Sequence, residues 1–484
     1  MNNSLNKIVT LLWLVYSVAA MHSPAAGAAP DNNSFAASSA TPADEEMTHR
    51  GLELEYIVVV GNSHIADSAI IGTLGLDSHD TVNVAILEEA RHRLFRDYPL
   101  LSVIEFSTRP GSRRGFVILD ISVVERHQVV FETGYGLHDT YGWFLTLLGL
   151  RVEPAVAYGT EYRLGLRLGF HISGLDGEFE RRAKPGGFGL GGNFHVYSQK
   201  QIFFGGEAAP TSWDAAGTGQ YTREFRQKIE RSGVELHVLY MSRDSTRFSF
   251  GFHAEEVRPE SSYVESEGDQ EYGFDEFPAL LQAGIRKTTI TGLAFRVVRD
   301  TRDRSDYPRS GSFALLQAQS NSTFFGGDEI FAKAECDFRK HISLGNWYVL
   351  SSRLTGGIVS KRTPYYDKFF LGGAYSVRGF RELSLSPPSG SDGFIMASDE
   401  FRFPLITSMA DEPPRLTGLL FIDAGIGWER GNALEWSDIE AAAGYGIRLR
   451  LPWIGTLGFD VGVPFMESRT GDKFYINGCV GFSF

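Results

Sequence analysis

The sequence predicts a membrane all-β protein: a transmembrane β-barrel of about sixteen strands, preceded by one small α+β domain of β-α-α-β-β order. Three observations predict it. From residue 128 onward the chain falls into segments of about ten residues that alternate apolar and polar side chains, separated by Gly, Asp, Asn, Pro and Ser. The polar faces of these segments carry arginine and aspartate in mid-strand, while the opposite faces are lipid-compatible throughout. Before residue 127 the pattern is different, with two helical stripes set among three strands.

Bulk properties narrow the class further. Mean hydropathy is −0.14, and no apolar run of about 18 residues follows the amino terminus, which disfavours a helical membrane protein. A barrel is compatible with that average, because its strands spend only alternate residues on lipid. The 54 glycines and 36 phenylalanines suit such a wall. A net charge of −13 argues against a nucleic-acid partner, which would require a basic face.

The first 28 residues read as a signal peptide. Lys7 gives a positive start, Ile8 to Ala20 form a short apolar core, and small residues offer cleavage sites at Ala26-Gly27-Ala28 or Val18-Ala19-Ala20. Residues 29–51, rich in Ala, Ser, Asn and Pro, read as a flexible leader.

Residues 52–126 carry the small domain. Glu53 to Val60 is a strand ended by Gly61-Asn62. Ile65 to Leu74 forms a short helix with Ser63 as its cap, and Asn83 caps a second helix whose stripe is Ile86, Leu87, Ala90 and Leu94. Strands Val103 to Arg109 and Gly115 to Val124 follow, joined by Pro110-Gly111-Ser112. This order, with Gly-Asn after the first strand and Leu-Phe near the end of the second helix, resembles a POTRA domain. The resemblance implies a periplasmic module that holds client chains by strand addition to a sheet edge.

Residues 128–484 carry the barrel. At about 22 residues per strand and connection, they accommodate about sixteen strands, give or take two. Tyr162, Leu164, Leu166, Leu168 and Phe170 share one face, opposite Arg163, Gly165, Arg167 and Gly169. Leu420, Ile422, Ala424, Ile426 and Trp428 oppose Phe421, Asp423, Gly425 and Gly427. Further on, Arg448 and Arg450, then Asp460, oppose runs of Ile, Leu, Phe and Val. An arginine turned to lipid at the midplane costs roughly 2–4 kcal/mol, so register is strongly specified and these charges point into the lumen. The last segment puts Phe474, Ile476, Gly478, Val480, Phe482 and Phe484 on lipid and Cys479 on the lumen. Cys336 shares the apolar face of its strand with Ala332, Ala334 and Phe338, so the two cysteines face opposite sides of the wall and do not pair. Phe484, an aromatic closing the chain within a strand, resembles the signal by which bacterial barrels are recognised for insertion.

One long connection holds Phe369-Phe370-Leu371-Gly372-Gly373-Ala374-Tyr375-Ser376-Val377-Arg378-Gly379-Phe380. A bare Arg-Gly-Phe is not specific, since Arg114-Gly115-Phe116 repeats it in the small domain. The full string is specific, and it resembles the signature of the BamA/TamA superfamily. Arg299-Asp300-Thr301-Arg302-Asp303, with Pro308 and Gly311, resembles that family's turn between two middle strands. The resemblance implies that the loop folds back into the barrel and docks its Val377-Arg378-Gly379-Phe380 tip on the inner wall. A guanidinium fork in a partly dehydrated lumen requires carboxylates at bidentate geometry. Glu400 and Asp423 stand where the resemblance places them, facing inward by alternation together with Phe421. The expected lock is therefore Gly372, Gly373, Val377, Arg378, Gly379, Phe380, Glu400, Phe421 and Asp423. The resemblance also implies a lateral seam between first and last strands, where Gly134, Gly136, Gly478, Gly481 and Phe484 fall.

The function implied is insertion or translocation of polypeptide clients, either unfolded outer-membrane proteins or secreted chains. The partners would be outer-membrane lipid and periplasmic or inner-membrane accessory proteins. Two alternatives stand beside it: a two-partner-secretion exporter of one exoprotein, and a passive porin. The family's central assembly protein has five POTRA units, its paralogue three and two-partner exporters usually two, whereas one unit fits here. The exporters' amino-terminal plug helix is not evident. No Gly-x-Ser-x-Gly elbow and no His-Glu-x-x-His spacing among the 12 histidines point to catalysis, so neither an enzyme, a metal nor a cofactor is expected.

Overall fold

The computed structural model describes the chain from residue 52, apart from connecting segments, the longest being 153–159, 206–222, 274–285, 432–437 and 466–472. The signal peptide and leader expected for residues 1–51 lie outside the described residues. The chain forms two compact units, one containing the small sheet and the other the barrel.

In the first unit, β1 (Leu52–Val60), α1 (Asp67–Leu74), β2 (Thr81–Val82), α2 (Val84–Asp97), β3 (Leu101–Pro110) and β4 (Phe116–Glu125) build a sheet of order β2-β1-β4-β3. β1 runs parallel to β4, and β3 is an antiparallel edge. The core is formed where Leu54, Ile70, Leu74, Ala90, Leu94, Leu119 and Ile121 meet between the helices and one sheet face. The carboxamide of Asn83 accepts from the Ile86 N–H and caps α2. The cap of α1 differs from expectation: its N-cap position is Ala66, without a side-chain bond, and Ser63 lies outside the described residues. Asn62 compensates by donating to the Ile65 carbonyl and to Asp67. The two-residue strand β2 has too few side chains to show a period and was not visible in the sequence.

The second unit is a closed barrel. Its wall begins with β5 (Val129–His138), β6 (Gly142–Val152), β7 (Thr160–Gly169), β8 (Ile172–Arg181), β9 (Gly187–Gly205), β10 (Arg223–Met241) and β11 (Thr246–Pro259). Two short strands, β12 (Ser262–Glu265) and β13 (Glu271–Gly273), form a hairpin that extends the edge of β10 past the end of β11. The wall continues with β14 (Thr288–Asp300), β15 (Gly311–Asn321), β16 (Phe331–Ser343), β17 (Val349–Val359), β18 (Gly393–Ile406), β19 (Leu416–Trp428), β20 (Glu440–Leu451), β21 (Gly455–Pro464) and β22 (Tyr475–Val480). Because β11 pairs directly with β14, the wall has seven strands before the hairpin and nine after it, sixteen in all.

Alternation places the side chains as a membrane wall requires. Leu420, Ile422, Phe459, Val461 and Ile476 are exposed on the outside, whereas Asp423, Arg448 and Asp460 are buried inside. Cys336 is exposed and Cys479 buried, and both are free. The turn from β14 to β15 is tied by Asp303, whose carboxylate accepts from the Arg309 and Ser310 N–H groups.

Candidate functional site

The connection from β17 to β18, residues 360–392, enters the lumen and binds the inner wall at both of its ends. Its base is closed by a bridge between Phe369 and Ser391. Its tip is fixed by Arg378, which has no solvent exposure. All five guanidinium N–H groups have acceptors. Nε and Nη2 grip Asp423 at 2.7 and 2.8 Å, Nη1 reaches Glu400 at 2.6 Å and Ser483 at 3.2 Å, and Nη2 also reaches Ser398 at 3.1 Å. The Arg378 backbone N–H adds a bond of 3.0 Å to Asp423. Full satisfaction offsets the desolvation of a buried charge, which would otherwise exceed its Coulombic gain.

Register explains why these ligands converge. Ser398 on β18 pairs with Asp423 on β19, and Glu400 pairs with Phe421 one lumen-facing position along. Phe421 offers the face of its ring to the guanidinium, 3.8 Å from the centroid. It therefore supports the arginine head and lies against Gly444. The wall under the tip carries only small residues. Gly379, at φ +90°, lies on Gly462 of β21 and Ala442 of β20. Gly373, at φ +118°, passes so near Asp139 that a Cβ there would lie 2.4 Å from its carboxylate. Val377 and Phe380 fill an apolar pocket with Leu371, Leu385, Met396 and Ala442. Gly372, also at positive φ, abuts the Arg381 carbonyl.

Two more buried arginines flank Arg378. Arg402 donates to Glu400 at 2.8 Å and to the Phe484 backbone oxygen at 2.9 Å. Arg448 grips Asp460 in a fork at 2.7 and 2.8 Å. Three arginines thus face three side-chain carboxylates with essentially no exposure.

The loop base is held on another part of the wall. Arg231 on β10 grips Glu255 on β11 with two bonds of 2.8 Å. It also donates to Asp367 at 2.8 Å and to the Tyr366 carbonyl at 3.3 Å. His195 on β9 faces the same Glu255 at 2.9 Å. Tyr365 bonds Gln227, and both tyrosines are buried among Phe203, Phe225, Ile229 and Val257. The loop is therefore a strut between the β9–β11 and β18–β21 walls.

At the seam, β22 is only six residues long, against thirteen, twelve and ten for β19, β20 and β21. It neighbours β5 and closes the barrel. Gly134 and Gly136 lie in β5, and Gly478 lies in β22. Phe484 is a correction. It was expected on the lipid face of the last strand, together with Phe482, but the strand ends at Val480. Gly481, at φ +77°, turns the chain inward. Phe484 becomes buried near His341, and Phe482 stacks under Arg402 at 4.3 Å. The guanidiniums of Arg402 and Arg448 give these rings cationic partners that lipid lacks.

Residues 155–484 match the Omp85 superfamily domain over most of the chain. The chain belongs to the Omp85 superfamily. Among its relatives, the outer membrane protein assembly factor BamA of Nitratidesulfovibrio vulgaris is 29% identical over 185 residues, covering 37% of this chain and 23% of that protein. A SAM50-like protein of Schizosaccharomyces pombe is 31% identical over 145 residues, covering 28% of this chain and 30% of its own. The chain thus spans about a quarter to a third of the length of these relatives. In fold it is similar to BamA from Haemophilus ducreyi lacking POTRA domains 1–3, with a TM-score of 0.60 at 16% identity, covering 88% of this chain and 84% of that one. It is also similar to CdiB from Acinetobacter baumannii, with a TM-score of 0.51 at 16% identity, covering 88% and 73%.

Sequence reasoning on this Omp85 chain overlooked several residues that the structure brings to the lock. Ser398, Arg402, Arg448, Asp460, Gly462 and Ser483 all contribute. Mid-strand charge was the available signal for Arg448 and Asp460, and both were read only as lumen lining. Arg231, Glu255 and Asp367 carried no motif at all.

Proposed function

We propose that this Omp85 protein is an outer-membrane insertase or translocator for polypeptide clients, with the domain of residues 52–126 in the periplasm. The observation that carries the reading is the pairing of a fully satisfied loop lock with a six-residue closing strand beside it. The lock ties the loop to the β18–β21 wall, while the shortest of these strands closes the barrel and pairs with β21 over six residues. An edge of that kind exposes donors and acceptors that an incoming strand can complete. The edge strand β3 offers the small domain a similar means of holding an extended chain. Among the curated relatives, one is named an outer membrane protein assembly factor and others sorting and assembly machinery components. On this reading the partners are unfolded outer-membrane or secreted polypeptides, the surrounding lipid and periplasmic or inner-membrane accessory proteins. The protein moves chains and performs no bond chemistry.

The test is reconstitution of the full chain in liposomes with a urea-unfolded eight-stranded barrel as client. Folding is followed by the heat-modifiable shift in electrophoretic mobility. Acceleration over empty liposomes is expected, and equal rates would refute the insertase reading.

A further inference from the structure

The loop reaches the backbone of the last strand through the side chain of Tyr375. The Gly481 N–H donates back to the Thr456 carbonyl on β21. Backbone groups along an antiparallel strand alternate in direction, so the N–H and C=O of Val480 point the other way, toward the seam edge. Both are occupied by the same hydroxyl: the Val480 N–H donates to Tyr375 Oη at 2.8 Å, and Tyr375 Oη donates to the Val480 carbonyl at 2.9 Å. A neighbouring strand would make that pair of bonds in an ordinary sheet.

Tyr375 is fixed from the opposite side of the seam. Its backbone N–H lies 3.1 and 3.3 Å from the two carboxylate oxygens of Asp139, the residue that follows β5. Asp139 is buried, and the glycine at 373 lets the loop pass against it. A second contact joins the loop to the last strand, where the Tyr475 hydroxyl donates to Glu382 at 2.9 Å. One loop residue therefore spans from the end of β5 to the backbone of β22, two positions before the arginine lock begins at Val377.

We propose that Tyr375 is an internal stand-in for an incoming strand, its hydroxyl occupying the backbone position at Val480, on the seam side of β22, at which a client strand would register. The inference rests on the reading of the seam as the route for clients. It adds a specific competitor at that edge: the client must displace a phenolic hydroxyl, not open water, to pair with Val480. Removing the hydroxyl leaves a donor and an acceptor unsatisfied at that position, and the edge becomes available more often.

The experiment is hydrogen–deuterium exchange on the full chain in lipid nanodiscs, read in the peptide covering residues 475–484. Tyr375→Phe should raise exchange there about three- to tenfold, the range of one net hydrogen bond. The peptide covering residues 455–464 should remain at the wild-type rate. Asp139→Ala, which frees the Tyr375 backbone without touching β22, should produce the same localised rise. Unchanged exchange at 475–484 in both variants overturns the proposal, as does an equal rise in both peptides, which signals general loosening. No client takes part in this measurement. The client-folding assay separately decides whether the seam is the route, with Tyr375→Phe expected to raise the folding rate.

Discussion

Gly379 of the loop and Gly462 of β21 touch backbone to backbone: a Cβ built on Gly462 would lie 2.5 Å from the Gly379 Cα. Neither partner at this contact has a flexible side chain that could yield. Gly462→Ala should therefore lift the tip off the wall and pull Arg378 from its acids, although residue 462 carries no charge and makes no side-chain bond. The expected outcome is loss of protection of the loop against added protease, with the outer wall intact. Protease resistance equal to wild type would show that the wall accommodates the methyl.

Arg378→Ala leaves Asp423 buried without its cation and Glu400 with Arg402 alone. Breaking a buried pair from one side costs about 3–5 kcal/mol. The variant should lose heat-resistant electrophoretic mobility at a lower temperature and lose client folding. Arg378→Lys keeps the charge but cannot satisfy Asp423, Glu400, Ser398 and Ser483 with a fork. It should fall close to the alanine variant, and near-wild-type behaviour would show that charge alone suffices.

Arg231 and Asp367 test the other end of the strut. Asp367→Asn should release the loop base while leaving the Arg378 cluster untouched. In planar bilayers this should appear as larger or more frequent conductance steps than wild type, since the lumen is cleared on the β9–β11 side. Client folding should be reduced less than by Arg378→Ala. Identical conductance would mean that Tyr365 and Tyr366 hold the base without the ion pair.

The seam itself can be locked. On a background of Cys336→Ser and Cys479→Ala, cysteine pairs placed across β5 and β22 should form disulfides that stop client folding, with recovery on reduction. Full activity in the oxidised protein would place the route elsewhere.

The barrel was legible in the sequence because a membrane wall imposes a two-residue period, and Leu420 through Trp428 obey it with few exceptions. Alternation also placed Glu400, Phe421 and Asp423 inward without reference to the loop. It could not place Phe482 and Phe484, since the period continues through Gly481 while the backbone does not. It was silent on Arg231, whose partner Asp367 is distant in sequence and lies in a stretch with no period. Tyr375 belongs to the Phe369–Phe380 string, but its role depends on which edge of β22 the backbone groups face, and side-chain pattern carries no record of that.

The five acceptors of Arg378 come from β18, from β19 and from the segment after β22, and its tip rests on β20 and β21. A slip of one residue between β18 and β19 would turn Glu400 or Asp423 toward lipid and leave the guanidinium short of ligands. The arginine can reach its full complement only after the last five strands have assembled in correct register. The completed lock is therefore a readout of correct register across the last five of the sixteen strands.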